Sequence, residues 1–299
     1  MSNEASKALV LYHANCADGF AAAYSAWEAL GDNAEYVPVQ YGDAPPDVTG
    51  KLVYILDFSY SPDKVLAVAA SAHYVVLLDH HKTAMEQWGP MLSPHPAGGA
   101  SVHRGNLDVY FDMERSGAQM AWDWFHLGVE RPRMIDHVAD RDLWRFALPG
   151  TKEVCAALSS HPQDFKLWDY LSGYQRHIEL LTEGTAILRM QAQNVERIVD
   201  DSLRPVQIEL RSPEGVYYAE QGLAANVREN ISEAGNAIAK KSGTFSLTFF
   251  IKGDAAICSL RSIGDYDVTP IAKKYGGGGH KNAAGFKLPV ARFFAEVWK

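Results

Sequence analysis

The sequence predicts an α/β protein in two parts: a parallel-sheet N-terminal domain, joined by a long helix to a smaller α+β C-terminal domain. Three observations carry this. Up to residue 112 the apolar runs are apolar at nearly every position, which suits strands covered on both faces. Helix-like stretches separate those runs, as right-handed βαβ crossovers require. Beyond Pro205 the text changes to strand-like segments arranged around a single long helical stretch.

The elements follow in order. KALVLYHA reads as the first strand and DGFAAAYSAWEAL as the first helix, with Gly19 turning the chain into a helix that begins near Phe20. AEYVPVQY, KLVYILD and HYVVLLDHH give further strands, and PDKVLAVAASA a helix between the last two. NLDVYFD at 106–112 adds a strand, and SGAQMAWDWFHLG and RPRMIDHVADRDLW read as helices over the sheet. From Gln175 to Asp201 a long amphipathic pattern of mixed charge reads as the connecting helix. Then come PVQIEL and VYYAE as strands, a helix through NVRENISEAGNAIAKK, and TFSLTFFIKG and AAICSLRS as a pair turning at Gly253–Asp254. A short helix at VTPIAKKY leads into GGGGHKNAAGF. The expected boundaries are 1–174, 175–203 and 204–299.

The bulk composition narrows the function. With 299 residues, 47% of them hydrophobic, the chain can bury a sizeable core. A formal net charge of −8 lacks the basic excess needed to grip long nucleic acid through many phosphates. A short anionic substrate held by metals and a few arginines is compatible with it. Three scattered cysteines, Cys16, Cys155 and Cys258, give neither a disulfide framework nor a CxxC metal pattern, so a reducing compartment is expected. MSNEASK makes no secretory signal, and no run approaches the roughly 18 apolar residues of a membrane span. The expectation is a cytoplasmic protein without a membrane partner.

Three apolar runs of the first domain end in groups costly to bury alone: His13 to Asp18, Asp57, and Asp79–His80–His81. In a parallel sheet these are carboxyl ends, which line one edge and form the crevice where α/β proteins bind ligands. Asp140, in VADRDLW, is a fourth candidate from the helical segment. Carboxylates gathered in one crevice raise each other's pKa unless a cation compensates. Imidazole plus carboxylate suits Mn²⁺ and related ions, and two such ions about 3.5–4 Å apart can share a bridging group, activate water and bind phosphoryl oxygens. The chemistry suggested is phosphoester hydrolysis.

HANCADG, LDFS, LDHHKTA and VADRDLW, in that order, together resemble the motifs of the DHH phosphoesterase superfamily. SGAQMAW resembles the helix between its third and fourth motifs, and SLRSIGDYDVTPIAKKYGGGGHKNAAGF its associated C-terminal domain. The resemblance, to the two-domain branch with nano-RNases and small-nucleotide phosphodiesterases, implies roles residue by residue. His13 would bind a first metal and Asp18 a second, with Asp57 bridging them. His80 and Asp140 would complete the second site. Asp79 would orient a ligand histidine, and His81 would contact the phosphoryl group or assist its leaving group. Asp142 is the competitor for the place of Asp140, and reads here as a salt-bridged or capping acid. One position departs from the pattern: where relatives carry an earlier aspartate in the first motif, this chain has Cys16, either a thiolate ligand or a small filler.

In the C-terminal domain, Gly276, Gly277, Gly278 and Gly279 read as a backbone nest for an anion, followed by His280 and Lys281. Arg261 offers a planar fork for phosphate and Ser262 a hydroxyl. His95, His103 and His137 read as surface or loop residues, and Trp122, Trp124 and Trp144 as core. The expected activity is hydrolysis of short oligoribonucleotides or linear dinucleotides to mononucleotides by metal-hydroxide attack. Two Mn²⁺ ions are expected, with Mg²⁺ or Co²⁺ as alternatives, and a homodimer is compatible. The rival readings are a pyrophosphatase or polyphosphatase, and a nucleotide-binding regulator impaired through Cys16.

Overall fold

The computed structural model describes residues 7–201, 203–212 and 215–298; the opening MSNEAS, read above as part of no secretory signal, lies outside them. The chain divides within its longest helix into two compact units, the first ending at Leu188 and the second beginning at Arg189.

The first unit holds a seven-stranded sheet: β1 (Ala8–His13), β2 (Ala34–Val39), β3 (Leu52–Leu56), β4 (Tyr74–Asp79), β5 (Ser93–Pro94), β6 (Ala100–Arg104) and β7 (Leu107–Phe111). Their order is β2-β1-β3-β4-β7-β6-β5. β2, β1, β3, β4 and β7 are parallel, while β6 and β5 are antiparallel additions at one edge. The expected parallel sheet is thus borne out. The hairpin partner β6 was not expected; the turn residues Gly105–Asn106 were its only local signal.

The continuous apolar runs are explained by burial on both faces. Val10, Tyr12, Tyr54, Leu56, Val76 and Leu78 belong to the core shared with α1 (Ala17–Leu30) and α4 (Gly117–Phe125). Their alternates Leu9, Leu11, Val53, Ile55, Val75 and Leu77 belong to the core shared with α2 (Pro62–Ser71) and α3 (Lys82–Trp88). The sheet grows from β1 in both directions, to β2 and then to β3, so a topological switch point opens at the carboxyl ends of β1 and β3.

The first helix starts at Ala17, three residues before the expected Phe20, after an extended Cys16 and a left-handed Asn15 at φ +56°. Gly19 therefore lies inside the helix and does not make the turn. It is needed for close approach, because a Cβ there would fall 2.3 Å from the carbonyl oxygen of His13. α5 (Arg133–Asp142) is followed by two helices the sequence reading left out, α6 (Thr151–Ser160) and α7 (Phe165–Ser172). α7 carries a legible start, since the Asp164 side chain accepts from Leu167 N at 2.9 Å. α8 (Tyr174–Asp201) is the long helix in which the two units meet along the chain.

The second unit is a six-stranded sheet of order β12-β13-β11-β10-β9-β8. Its strands are β8 (Arg204–Arg211), β9 (Tyr217–Asn226), β10 (Phe245–Lys252), β11 (Ala255–Ser262), β12 (Gly278–His280) and β13 (Ala283–Pro289). Only β9 and β10 are parallel, with α9 (Ile231–Ser242) as their crossover; the other pairs are antiparallel. α9 lies over the face bearing Ser246, whose hydroxyl donates to Gly235 O at 2.7 Å. The opposite face packs against residues of α10 (Thr269–Lys274) and α11 (Val290–Glu296). This is the small α+β unit the sequence predicts.

Candidate metal centre

β1, β3 and β4 are adjacent parallel strands, so their carboxyl ends bring His13, Asp57, Asp79 and His80 to one edge. Asp57 sits at the centre. It follows β3 in a left-handed conformation at φ +55°, which aspartate tolerates better than most residues. The start of α4 is pressed against it: a Cβ at Gly117 would fall 2.4 Å from that of Asp57. Asp57 Oδ1 lies 3.0 Å from His80 Nε2, and Oδ2 lies 3.5 Å from His13 Nδ1.

His80 Nε2 faces two further carboxylates at 3.5 Å, those of Asp18 and Asp142. Asp18 is held from behind, because its oxygens accept from Gly117 N at 2.7 Å and Ala118 N at 3.1 Å at the amino end of α4. Asp18, Asp57 and His80 are each 1% exposed, so the charges have little water to screen them. Burial and the Asp57 and Asp142 charges push the Asp18 carboxyl well above its usual range. Burial likewise raises Asp142, with Asp57 adding to it and His80 opposing. Burial also works against Asp57, but His13, His80 and His81 outweigh it and hold that carboxyl well below the usual range. Burial alone would lower His80; the three carboxylates overcome it and carry the imidazole up to about 10. A cluster so rich in acids calls for cations.

The donor set fits divalent ions. Asp57 Oδ2 and His13 Nδ1 are buried without a hydrogen-bond partner, the condition of atoms placed for another ligand. Two overlapping groups, His13 with Cys16 and Asp57, and Asp18 with Asp57 and His80, each bring their ligand atoms within 4.8 Å of one another. Asp57 is common to both.

Asp79 ends β4, with a carboxylate oxygen within 4.8 Å of ligand atoms of Asp57 and His81. Its Oδ1 accepts from His81 Nδ1 at 2.7 Å and from the backbone N–H groups of His80 at 2.8 Å and His81 at 3.2 Å. It therefore fixes His81, the residue assigned above to the phosphoryl group. Burial lowers the His81 pKa, and the Asp79 carboxylate more than offsets this, leaving it raised.

The structure does not bring Asp140 to the cluster. Its carboxylate accepts from Ala147 N at 2.9 Å, Leu148 N at 3.0 Å and Thr151 Oγ1 at 2.5 Å, closing the segment between α5 and α6. Asp142 stands in its place beside His80. The two acids are separated by two positions on α5, which point to opposite sides of a helix, so one faces the cluster and the other cannot.

Tyr41, just beyond β2, was not foreseen. Its ring meets those of His13 at 5.4 Å and His81 at 6.1 Å, and it is 56% exposed. The available signal was its place at the end of a parallel strand. Of the tryptophans expected in the core, Trp122 is buried, whereas Trp124 and Trp144 are more than a third exposed. His137 is buried, with Nδ1 2.9 Å from Thr151 Oγ1, contrary to the surface placement expected for it. His103 is exposed and His95 half-buried, and both rings lie against Tyr110 of β7.

In the second unit, Arg261 is anchored by Nη2 donating to Ser232 Oγ and Nη1 to Leu260 O, both at 2.9 Å. Ser262 is 4% exposed, and its hydroxyl donates to Tyr266 O at 2.7 Å and accepts from Asn282 Nδ2 at 2.9 Å. Gly276 N and Gly277 N donate to Lys273 O and Ala272 O, closing the end of α10. A Cβ at Gly277 would fall 1.9 Å from Gly285 O, and one at Gly279 would fall 2.5 Å from Ala283 O.

A family model for the DHHA1 domain matches residues 217–299. The matched residues are similar to the DHHA1 domain and lie within the second unit. The match bears out the resemblance to DHH proteins with that associated domain. A curated relative, uncharacterized protein R106 of Acanthamoeba polyphaga mimivirus, is 28% identical over 298 residues. The alignment covers 93% of this chain and 66% of the viral protein, so the chain spans about two thirds of the length of that relative. Two solved structures are matched at low identity. One is the pGpG-specific phosphodiesterase PggH from Vibrio cholerae, 15% identical over 95% of this chain and 94% of that one, at a TM-score of 0.46. The other is an exopolyphosphatase-related protein from Bacteroides fragilis, 14% identical over 94% and 86%, at 0.40.

Within the second unit the glycine run has local packing roles. Two of its N–H groups are spent on α10, and two of its missing Cβ atoms make room for β13. The Ser262 hydroxyl is likewise committed inside the second unit, and Arg261 is held in place by its bonds to Leu260 and Ser232.

Proposed function

We propose that this chain is a divalent-metal-dependent phosphodiesterase that hydrolyses short oligoribonucleotides or linear dinucleotides to mononucleotides. The observation that carries the proposal is Asp57, buried and shared between two groups of potential ligands in a crevice with three carboxylates. His13 and Asp57 would hold one ion, with Asp18, Asp57, His80 and Asp142 around the other. Bound there, divalent ions such as Mn²⁺ supply Lewis acidity that activates water and neutralises phosphoryl oxygens. Asp79 holds His81 through Nδ1, so His81 would meet a phosphoryl or leaving-group oxygen through Nε2 and deliver a proton there. Arg261 and His280 of the second unit would contact the phosphate or terminal nucleotide of the substrate. No helix among the described residues is long and apolar enough to cross a membrane. The three cysteines form no disulfide among the described residues, in keeping with a cytoplasmic location, which is part of the same proposal.

A direct comparison tests the substrate class: with Mn²⁺, a diribonucleotide is expected to be cleaved to mononucleotides faster than pyrophosphate is cleaved. The reverse order would favour a pyrophosphatase, and binding without hydrolysis of either would favour a regulator.

Cys16 gives a second expected result. Its thiol is soft and Mn²⁺ is hard, so it adds little to binding even from within ligand distance of His13 and Asp57. Cys16→Ala is expected to keep Mn²⁺ stoichiometry and turnover within about threefold, and Cys16→Asp, a hard oxygen donor, to tighten Mn²⁺ binding. Loss of one ion in the alanine variant, measured by equilibrium dialysis, would make the thiol a ligand.

A further inference from the structure

β2 and β1 are parallel with Val39 opposite His13, so the chain leaving β2 emerges at the same edge as the metal cluster. Ala14 N donates to Val39 O at 2.8 Å and ties the two ends together. Tyr41 follows in a tight turn closed by Asp43 N donating to Gln40 O at 3.0 Å and Gln40 N donating to Asp43 Oδ2 at 2.8 Å. Gly42, at φ +103°, lets the chain make that turn.

The ring is backed by the site. It packs 4.8 Å from Phe58, itself 1% exposed and braced edge-on by Tyr60, also at 4.8 Å. It meets His13 and His81 nearly perpendicularly, at 76° and 79°. Over half of the residue remains exposed despite these contacts. A large aromatic fixed in position, touching the histidine assigned to the phosphoryl group and open to solvent, is a preorganised stacking surface.

We propose that Tyr41 is a specificity-determining residue that stacks on the nucleobase next to the phosphate engaged by His81. The inference rests on the phosphodiesterase reading and extends it: the base, and not the phosphate chain alone, is recognised in the first unit. Pyrophosphate and polyphosphate have nothing to place on this ring, so the contact favours nucleotide diesters over them. Stacking is tolerant of base identity because every base has a π face, so the preference is for having a base and not for a particular one.

The test compares wild type, Tyr41→Phe and Tyr41→Ala, with Mn²⁺, on a diribonucleotide and on the corresponding diester lacking both bases. The expected result is a loss of roughly 5- to 150-fold in the kcat/KM ratio of the two substrates in the alanine variant, expressed in KM, and its retention in the phenylalanine variant. A structural role for Tyr41 would lower both substrates alike and leave the ratio unchanged, which would overturn the inference. Calorimetric binding of AMP against ribose 5-phosphate, with Mn²⁺ and no turnover, gives an independent reading. Wild type is expected to prefer AMP and Tyr41→Ala to lose that preference; absence of the preference in wild type would also overturn the inference. A wild-type enzyme that cleaves no dinucleotide would sink the phosphodiesterase reading, while the AMP comparison would still decide the role of Tyr41.

Discussion

Asp57→Asn is expected to abolish dinucleotide turnover and to weaken both metal sites while leaving the fold intact. Asparagine keeps the volume and accepts the left-handed backbone at φ +55°. It retains an oxygen for His80 but loses the charge common to the two ligand groups. Loss of an outer-shell partner typically costs about 10–100-fold in metal affinity or activity, so loss of the shared ligand should exceed that range. Turnover, Mn²⁺ stoichiometry and thermal unfolding measured on one preparation separate the effects. Asp57→Ala is the poorer probe, because alanine at positive φ costs roughly 1–2 kcal/mol and confounds stability with chemistry. Full activity in the asparagine variant would place the reaction elsewhere.

The second large effect separates two acids two residues apart. Asp142→Asn should lose turnover and metal with little change in stability, since its carboxylate serves the cluster around His80. Asp140→Asn should do the opposite. It weakens a carboxylate that receives two backbone N–H groups and the Thr151 hydroxyl, at a cost of about 1–3 kcal/mol. That corresponds to a drop in Tm of roughly 2–12 °C for a unit of this size, with metal still bound. An exchange of the two phenotypes would return the ligand role to Asp140.

Much of the site was legible because its residues lie at the ends of strands. An apolar run ending in Asp or His announces a carboxyl end, and three such ends on adjacent parallel strands must converge. The choice between Asp140 and Asp142 was not legible, because it depends on the rotation of α5 about its axis, which packing decides. Tyr41 was obscured for a related reason: VPVQY reads as the end of a strand, but its nearness to His13 depends on the pairing of Val39 with His13. The glycine run shows the converse case. Gly277 and Gly279 let β12 press against β13, a contact between segments that no single stretch reveals. Gly19 follows the same pattern, with its missing Cβ required by the carbonyl of His13.

The central claim is that this cluster, with its ions, cleaves a phosphodiester. The most direct measurement is hydrolysis of a diribonucleotide by the full chain, first stripped with a chelator and then titrated with Mn²⁺, with products separated as mononucleotides. The account predicts no cleavage after stripping, recovery that saturates at two ions per chain, and mononucleotides as the only products. Cleavage that survives complete removal of metal, or none with Mn²⁺, Mg²⁺ or Co²⁺ at full occupancy, would contradict it.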